Sequence, residues 1–451
     1  MKYLCGLYTL LFGVAVLLFF GLAYPHHLHY QEQYQLFLFD STYMWDIVRQ
    51  PGGVADLLGR FCTQFFLFAW VGALIIAVLL SLIQVLMLRL VKWGWLYGLT
   101  FLPSFLLWFF LLDENALMGG VWAVLLTLLV ISGCLLLSKG WMRRIAILIA
   151  IPILYWMALG GSHYYRYPTV IPYLLYGAWL SAIILPLIVH FCKVQGLWLK
   201  VQGLTFLLVA VVMGTLVWKN ANFKAEKVMQ YDFMARYQQW NRILATANAE
   251  KPNNQIGVTV QNLALAMHGM LADHLFDYNQ NGIAGLLPDV QSDATSPLPT
   301  AEAFYQLGMI YVAQRTVFEA QEAILDFQKS ARCYKRLAQT NLIIGSYEVA
   351  RKYLMALQKT LFYRDWANET LPLLNNEEAI AKHPEYGRLR QCLYDEDFYF
   401  SDHVTPEMLE SLYFHNKDNR VALEYLKAYY MLTGDRDSYA QLLHDLQEVK
   451  N

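Results

Sequence analysis

Long apolar runs fill the first half of this chain, and they constrain its fold more than any other feature. Charged residues are sparse before Lys219 and frequent after it. Only 15% of the 451 residues are charged, whereas soluble proteins usually carry about 25%. Because roughly 20 apolar residues in helical form cross a bilayer core, we predict a transmembrane domain at 1–220 and a water-facing domain at 221–451.

About seven runs are apolar and long enough to predict spanning helices. The first is longer than the usual ~7–15-residue core of a signal peptide, so we predict a retained anchor. A long outer loop, 24–60, follows it. The predicted spans are Tyr3–Ala23, Phe61–Leu88, Trp93–Leu112, Met118–Leu137, Ile145–Gly160, Val170–Phe191 and Leu204–Trp218.

Basic residues in the short loops predict how these spans are oriented, because Lys and Arg stay preferentially on the cytoplasmic side. They all fall on one side if the N-terminus is cytoplasmic. The opposite side then receives loop 24–60, the Asp113–Glu114 turn, the loop around His163 and everything after Lys219. We therefore predict a multi-pass protein of a bacterial inner membrane with an extracytoplasmic C-terminal domain. The basic residues are Lys2, Arg89, Lys92, Lys139, Arg143, Arg144, Lys193 and Lys200.

Composition argues against several functional classes. A formal net charge of -1 without a basic run gives no support for nucleic-acid binding. No charged residue lies in the middle of a predicted span. Because ion-coupled transport needs buried ionisable groups, a transporter is only the third of the candidate functions. No Cys or His group has metal-ligand spacing, so we expect no metal. Cys333 and Cys392 could form a disulfide in an oxidising compartment, or stay as buried thiols.

The second half predicts an all-α domain, because apolar residues after Asn222 recur with the helical period of about 3.6. Its large and small residues resemble the tetratricopeptide (TPR) pattern of two packed helices per repeat; an irregular helical domain is the alternative. Stacked hairpins form concave binding surfaces, so Phe304, Tyr311, Tyr334 and Asn341 are candidate binding residues. The pattern comprises Phe304, Leu307, Gly308, Tyr311 and Ala320; Tyr334, Leu337, Ala338, Asn341, Gly345, Tyr347 and Ala350; and Leu423, Leu426, Tyr430 and Gly434.

Three short segments carry a broader resemblance: Gln50-Pro51-Gly52-Gly53, Gly59-Arg60-Phe61 and Asn262-Leu263-Ala264-Leu265-Ala266. Together with the order of features along the chain, they resemble an uncharacterised bacterial family of polytopic membrane proteins with a repeat-like helical tail, a domain of unknown function. The resemblance implies an architecture and a location, and it implies no activity.

The outer loop holds the richest set of chemical groups. Its segment Asp40–Arg60 is similar to the start of polytopic lipid-linked sugar transferases of the GT-C class, which hold a catalytic acid in the outer loop after the first span. That resemblance implies Asp40 as a base or metal-binding acid, with a divalent metal as cofactor in that case. It implies Arg49 or Arg60 as the ligand of a lipid-linked phosphate, which guanidinium binds bidentately. The alternative is that these residues cap helices and form surface ion pairs.

Two further groups face the same side. His163 and Arg166 could bind an anionic headgroup, although the tyrosines around them are typical of an aromatic belt. The triplet His26, His27 and His29 suggests a metal site. Adjacent histidines diverge, however, and an interfacial role is favoured.

The favoured function is an integral membrane protein that presents its helical domain to a protein or polymer at the outer face of the inner membrane. The lipid bilayer is its other partner, and no cofactor is expected. A membrane glycosyltransferase that takes a lipid-linked sugar donor is the alternative.

Overall fold

The computed structural model is all-helical in the parts of the chain that it describes, as the sequence predicts. It describes residues 2–91, 97–137, 140–192, 199–288, 297–324, 328–394 and 405–448. Lys92, Lys139 and Lys193, which entered the predicted orientation, lie outside these residues. The chain divides into two compact units, unit 1 (Met1–Glu226) and unit 2 (Lys227–Asn451).

Unit 1 is built from long apolar helices and shorter helices that connect them. A π-helical turn, Phe19–Ala23, extends the first helix. The helices are α1 (Lys2–Leu18), α2 (Pro25–Glu32), α3 (Ser41–Val48), α4 (Gly53–Thr63), α5 (Ala69–Leu90), α6 (Leu102–Phe110), α7 (Met118–Leu136), α8 (Trp141–Leu159), α9 (Tyr173–Cys192), α10 (Leu199–Asn220) and the start of α11 (Phe223–Arg236).

Five helical segments of the described chain are long and apolar enough to cross a membrane: Gly6–Ala23, Ala69–Leu90, Met118–Leu136, Trp141–Tyr164 and Gly203–Asn220. Two shorter apolar helices, Gly98–Phe110 and Tyr173–Pro186, fall within the predicted third and sixth spans. The described structure therefore supports a membrane protein, and supports five of the seven predicted spans by length and composition.

The predicted second span, Phe61–Leu88, is wrong at its start. Phe61 belongs to α4, and Phe68 has an extended backbone (φ -115°, ψ 100°) that separates the short helix Gln64–Leu67 from α5. The apolar character of the sequence continues through this break, so hydropathy alone could not locate it. The long helix begins at Ala69 instead.

Helix α5 is central to unit 1, because 56% of its apolar window is buried compared with 6% for Gly203–Asn220. It packs against α1, α6 and α7. Two side-chain hydrogen bonds join α5 to α6 and to the turn before it. Gln84 Nε2 donates to Thr100 Oγ1 (2.9 Å), and Ser104 Oγ donates to the Leu80 carbonyl (3.0 Å).

Unit 2 contains the end of α11 and thirteen further helices in its described residues. They are α12 (Trp240–Glu250), α13 (Gln255–Met267), α14 (Leu271–His274), α15 (Pro297–Leu307), α16 (Ile310–Glu322), α17 (Ala331–Ile344), α18 (Tyr347–Gln358), α19 (Arg364–Thr370), α20 (Glu377–Lys382), α21 (Pro384–Arg390), α22 (Pro406–His415), α23 (Arg420–Thr433) and α24 (Arg436–Glu448).

Glycine turns join three helical hairpins in unit 2: α15 with α16, α17 with α18, and α23 with α24. Gly308, Gly345 and Gly434 have φ of +92°, +94° and +72°, a left-handed conformation that glycine adopts most easily at a helix end. Gly308, a small residue of the TPR-like pattern, lies in the turn that follows α15 after Leu307.

Candidate functional site

Four segments of unit 1 meet in what we call the loop assembly: 24–63, 111–117, 160–168 and 221–226. The turn after α6 is tied to the segment after α8, since Leu117 N–H donates to the Tyr164 carbonyl (3.1 Å). Gln31 of α2 donates to the Ala116 carbonyl (3.0 Å). The sequence places all four segments on the same side of the predicted spans, and in unit 1 they pack together.

Glu226 holds the N-terminus of α2. Its two carboxylate oxygens accept hydrogen bonds from the backbone N–H groups of His26 (2.7 Å) and His27 (2.8 Å). The first N–H groups of a helix have no partner within it and carry a partial positive charge, so a carboxylate binds there favourably. Burial nevertheless raises the pKa of Glu226 to about 7, against the opposing effect of these two hydrogen bonds.

The ring of His27 is fully buried next to this contact. It stacks on Tyr24 with 4.6 Å between ring centroids. Burial lowers the pKa of His27 to about 4, because the imidazolium form loses its hydration; the Leu111 backbone opposes this in part. His27 is therefore neutral at pH 7 and serves as a packing residue of the loop assembly.

Arg60 and Asp56 form a buried ion pair within α4. Arg60 Nε and Nη2 both donate to Asp56 Oδ2, at 2.9 and 2.8 Å. Tyr43 of α3 is a further partner of this guanidinium, and burial raises the pKa of the Tyr43 hydroxyl. The predicted phosphate ligand Arg60 is thus already neutralised by a carboxylate one helical turn away.

Asp40 and Arg49, the other residues drawn from the transferase resemblance, lie at opposite ends of α3. Asp40 is the N-cap and accepts from Tyr43 N–H (3.1 Å). Arg49 forms an exposed ion pair with Asp46, and such pairs contribute little stability. Asp40 and Arg49 therefore have the roles of helix cap and surface ion pair, which the sequence analysis gave as the alternative to a transferase site.

Arg166 is the chemically unusual member of the loop assembly. It is only 8% exposed, and its guanidinium carbon lies 3.9 Å from the centroid of the Tyr34 ring. It also contacts Tyr30, the Tyr167 ring (5.3 Å to the centroid) and, at 3.5 Å, Asn115 Oδ1. No Asp or Glu of the described chain forms an ion pair with it, and its Nε is buried without a hydrogen-bond partner. His163, predicted to act with it, is half-buried in the short helix Gly160–Tyr164.

The histidine triplet is not arranged as a metal site. The rings of His26 and His29 are 5.7 Å apart, and His27 packs against Tyr24. Within the described residues, no three His, Cys, Asp or Glu side chains are grouped closely enough to hold a metal ion.

The four candidate residues of the helical hairpins have different surroundings. Phe304 is buried in α15. Tyr334 packs edge-on against Tyr353, and Asn341 Nδ2 donates to the Leu337 carbonyl of its own helix (2.7 Å). Tyr311 of α16 is the exception, because it is 49% exposed.

Cys333 and Cys392 are free thiols, and both are buried. Cys333 lies in the first turn of α17, where burial raises its pKa to about 11. Cys392 lies just after α21 and packs beside Gly308. Of the two states that the sequence allowed for this pair, the structure has the buried thiols.

Comparison with known proteins identifies the family. The sequence profile of DUF6057, described as a family of unknown function, matches residues 1–163 and 158–451. The chain belongs to this family. No curated protein and no solved structure matches it.

Two contacts of this DUF6057 chain escaped the sequence interpretation. Glu226 was overlooked because its partners at the start of α2 are distant in sequence. Tyr165, whose hydroxyl donates to Asp113 Oδ2 (2.6 Å), was assigned only to an aromatic belt. A glutamate in the first turn of a predicted helix indicates helix capping. Nothing in the sequence indicates that Glu226 caps α2 and not its own helix, α11.

Proposed function

We propose that this chain is a multi-pass membrane protein whose helical unit 2 binds a protein partner. The observation that carries the proposal is the outward face of α16. Tyr311 and Phe318 are each 49% exposed, and their spacing of seven residues places them on the same side of a helix. Arg315 lies between them and is also exposed.

Two large half-exposed aromatic side chains on one helix favour a protein interface. Tyr and Phe are enriched in interfaces between proteins, and Arg often joins them. The opposite side of α16 is already occupied, because its buried residues pack against α15 and α17. A partner could therefore use the outward face without any rearrangement of the hairpin.

The finer architecture belongs to the same proposal. We infer TPR-like stacking for the hairpins of unit 2, on the support of the α17–α18 hairpin. There the small residues of the pattern, Ala338 and Ala350, are both fully buried. We likewise infer seven spans, a cytoplasmic N-terminus and an extracytoplasmic unit 2 at a bacterial inner membrane.

Site-specific photo-crosslinking in cells tests the protein-binding role. The crosslinker p-benzoylphenylalanine replaces Phe318, and in a matched control it replaces Lys352, an exposed polar position on α18. We expect one discrete protein adduct from position 318, weakened by Tyr311→Glu, and no such adduct from position 352. The same adducts from both positions, or none from position 318, would contradict the proposal.

The second candidate function is binding of a lipid phosphate by the loop assembly, and Arg166 favours it. A buried guanidinium without a carboxylate partner is costly, and phosphate binds guanidinium through paired hydrogen bonds. Tyr30 and Tyr34 next to it could donate to the same group. The glycosyltransferase alternative would need this phosphate site and, in addition, a catalytic acid such as Asp40.

Native mass spectrometry of the purified full-length chain tests the lipid site. We expect bound phosphatidylglycerol on the wild type and its loss in Arg166→Gln. Arg49→Gln, which removes an exposed arginine, is the matched control and should keep the lipid. Equal lipid occupancy in all three proteins would exclude Arg166 as the ligand.

A further inference from the structure

Helix α4 has the opposite polarity to a helix on the surface of a soluble protein, which buries its large apolar residues and exposes its polar ones. Val54 and Phe61, two of its large apolar residues, are 48% and 38% exposed. Its buried residues are all small or polar: Gly53, Ala55, Asp56, Gly59, Cys62 and Thr63.

The large apolar residues of this region share one side of the helix, as their spacing requires. We call them the outward stripe. Each is exposed or half-buried, so none is fully covered by unit 1. The outward stripe comprises Val54, Leu57, Leu58, Phe61 and, just beyond the end of α4, Phe65.

The inward side of α4 packs against α7. Gly59 lies directly against the backbone of Gly119, and Trp122 Nε1 donates to Cys62 Sγ (3.4 Å). The two charged residues of α4 are paired with each other and largely buried. Charged residues at membrane depth are typically paired in this way and face the protein, not the lipid.

The position of α4 relates it to two helices of membrane length. Its contacts with α7 lie in the first two turns of Met118–Leu136. After α4 the chain leads through Gln64–Leu67 into Ala69–Leu90. The 11 residues of α4 extend about 16 Å, roughly half of a 30 Å hydrocarbon core. This helix is therefore long enough to enter a bilayer beside α5 and α7, and too short to cross one.

Aromatic rings extend the outward stripe. The ring centroid of Phe61 lies 5.5 Å from that of Phe65 and 6.5 Å from that of Phe39. Phe39 is exposed, and so is Phe68, which directly precedes α5. Aromatic side chains concentrate where a membrane meets water, and contiguous exposed apolar patches mark interaction sites. Because this patch is continuous with helices of membrane length, the bilayer is the partner that it fits.

We propose that α4 is embedded in the bilayer and that its outward stripe contacts lipid acyl chains. The sequence assigns all but the last turn of α4 to a loop outside the spans, so this contact adds a membrane-binding element to that loop. It holds the loop assembly against the surface of the bilayer. The proposal rests on the placement of unit 1 in a membrane, and it is independent of partner binding by unit 2 and of the Arg166 site.

Photo-crosslinking in vesicles of phosphatidylcholine and phosphatidylglycerol tests the contact. The full-length chain carries p-benzoylphenylalanine at one position, and mass spectrometry of the intact protein detects the adducts. Phe61 is the test position. Leu82, exposed on α5, is the reference for lipid contact, and Gln50, an exposed polar residue in the turn before α4, is the matched control.

We expect an adduct of one phospholipid from position 61, in a yield comparable with that from position 82 and several-fold higher than that from position 50. Fragmentation of the adduct should place the new bond on an acyl chain. Val54, seven residues earlier in the outward stripe, repeats the test at a second position. It should give the same lipid adduct.

Three results would overturn the proposal. They are equal lipid yields from positions 50 and 61, a covalent dimer from position 61 in place of a lipid adduct, and no adduct from positions 54 and 61 while position 82 reacts with lipid. The dimer would instead make the outward stripe an interface between two copies of the chain. Absence of lipid adducts from position 82 as well would reject the placement of unit 1 in a membrane.

Discussion

At the scale of single residues, two buried titratable groups of opposite character meet at the start of α2. Glu226 has a raised pKa of about 7 and His27 a lowered pKa of about 4. The folded state therefore favours the neutral form of both side chains. Because of these two residues, the stability of unit 1 depends on pH, and the direction of each change follows from the direction of the pKa shift.

The sign differs for the two residues. The Glu226 contribution is fully present below its unfolded pKa of 4.5 and is lost as pH rises through 7. The His27 contribution is present above its unfolded pKa of 6.5 and is lost as pH falls through 4. Between roughly pH 4.5 and 6.5 the two slopes oppose each other.

We therefore predict that Glu226→Gln changes the pH profile of thermal unfolding in detergent. The wild type should lose stability between pH 6.5 and 7.5, by less than about 1.4 kcal/mol, and Glu226→Gln should be level there. Below pH 6.5 the variant should lose stability on acidification, because only His27 then titrates. Glu348→Gln, at an exposed carboxylate of α18, is the control. A profile of Glu226→Gln that follows the wild type would refute this role.

At the scale of elements, the crossing of α4 and α7 depends on two glycines. A Cβ on Gly59 would lie 2.3 Å from the backbone nitrogen of Gly119 and 2.7 Å from its Cα. Backbone atoms cannot move aside as a flexible side chain can. Gly59 belongs to one of the segments that carry the family resemblance. The close approach of α4 and α7 is a physical reason for a glycine at this position.

We predict that Gly59→Ala lowers the thermal unfolding midpoint of the chain by several degrees. Overpacking typically costs about 1–3 kcal/mol, which corresponds to roughly 2–4 °C per kcal/mol in a unit of this size. Gly133→Ala, on the same α7, is the matched control, because a Cβ there meets no atom within 4 Å. A Gly59→Ala midpoint equal to that of Gly133→Ala would show that the crossing tolerates a methyl group.

At the scale of the whole molecule, the proposed topology fixes which compartment each unit meets. In spheroplasts of a bacterial host, added protease should digest unit 2 and leave an N-terminal tag intact until lysis. A cytoplasmic marker protein that stays whole is the control for spheroplast integrity. If unit 2 were protected until lysis, the orientation inferred from the basic residues would be wrong, and so would the extracytoplasmic protein-binding role.

The sequence by itself determined the all-helical class and the family, and it anticipated that several helices could span a membrane. These are local properties of the sequence. Apolar runs need a hydrocarbon-like environment, and helical periodicity depends on residues only a few positions apart. The same local signals missed the break at Phe68, since its neighbours are all apolar.

Only the tertiary structure decided which groups face each other. Glu226 meets α2, Arg60 is neutralised by Asp56, and Arg166 remains without a carboxylate in the described chain. Each outcome depends on the burial of a charge and on the elements packed around it. Burial is a property of the assembled helices. The sequence shows where a charged residue lies along the chain, but it does not show the free-energy cost of burying that charge in the fold.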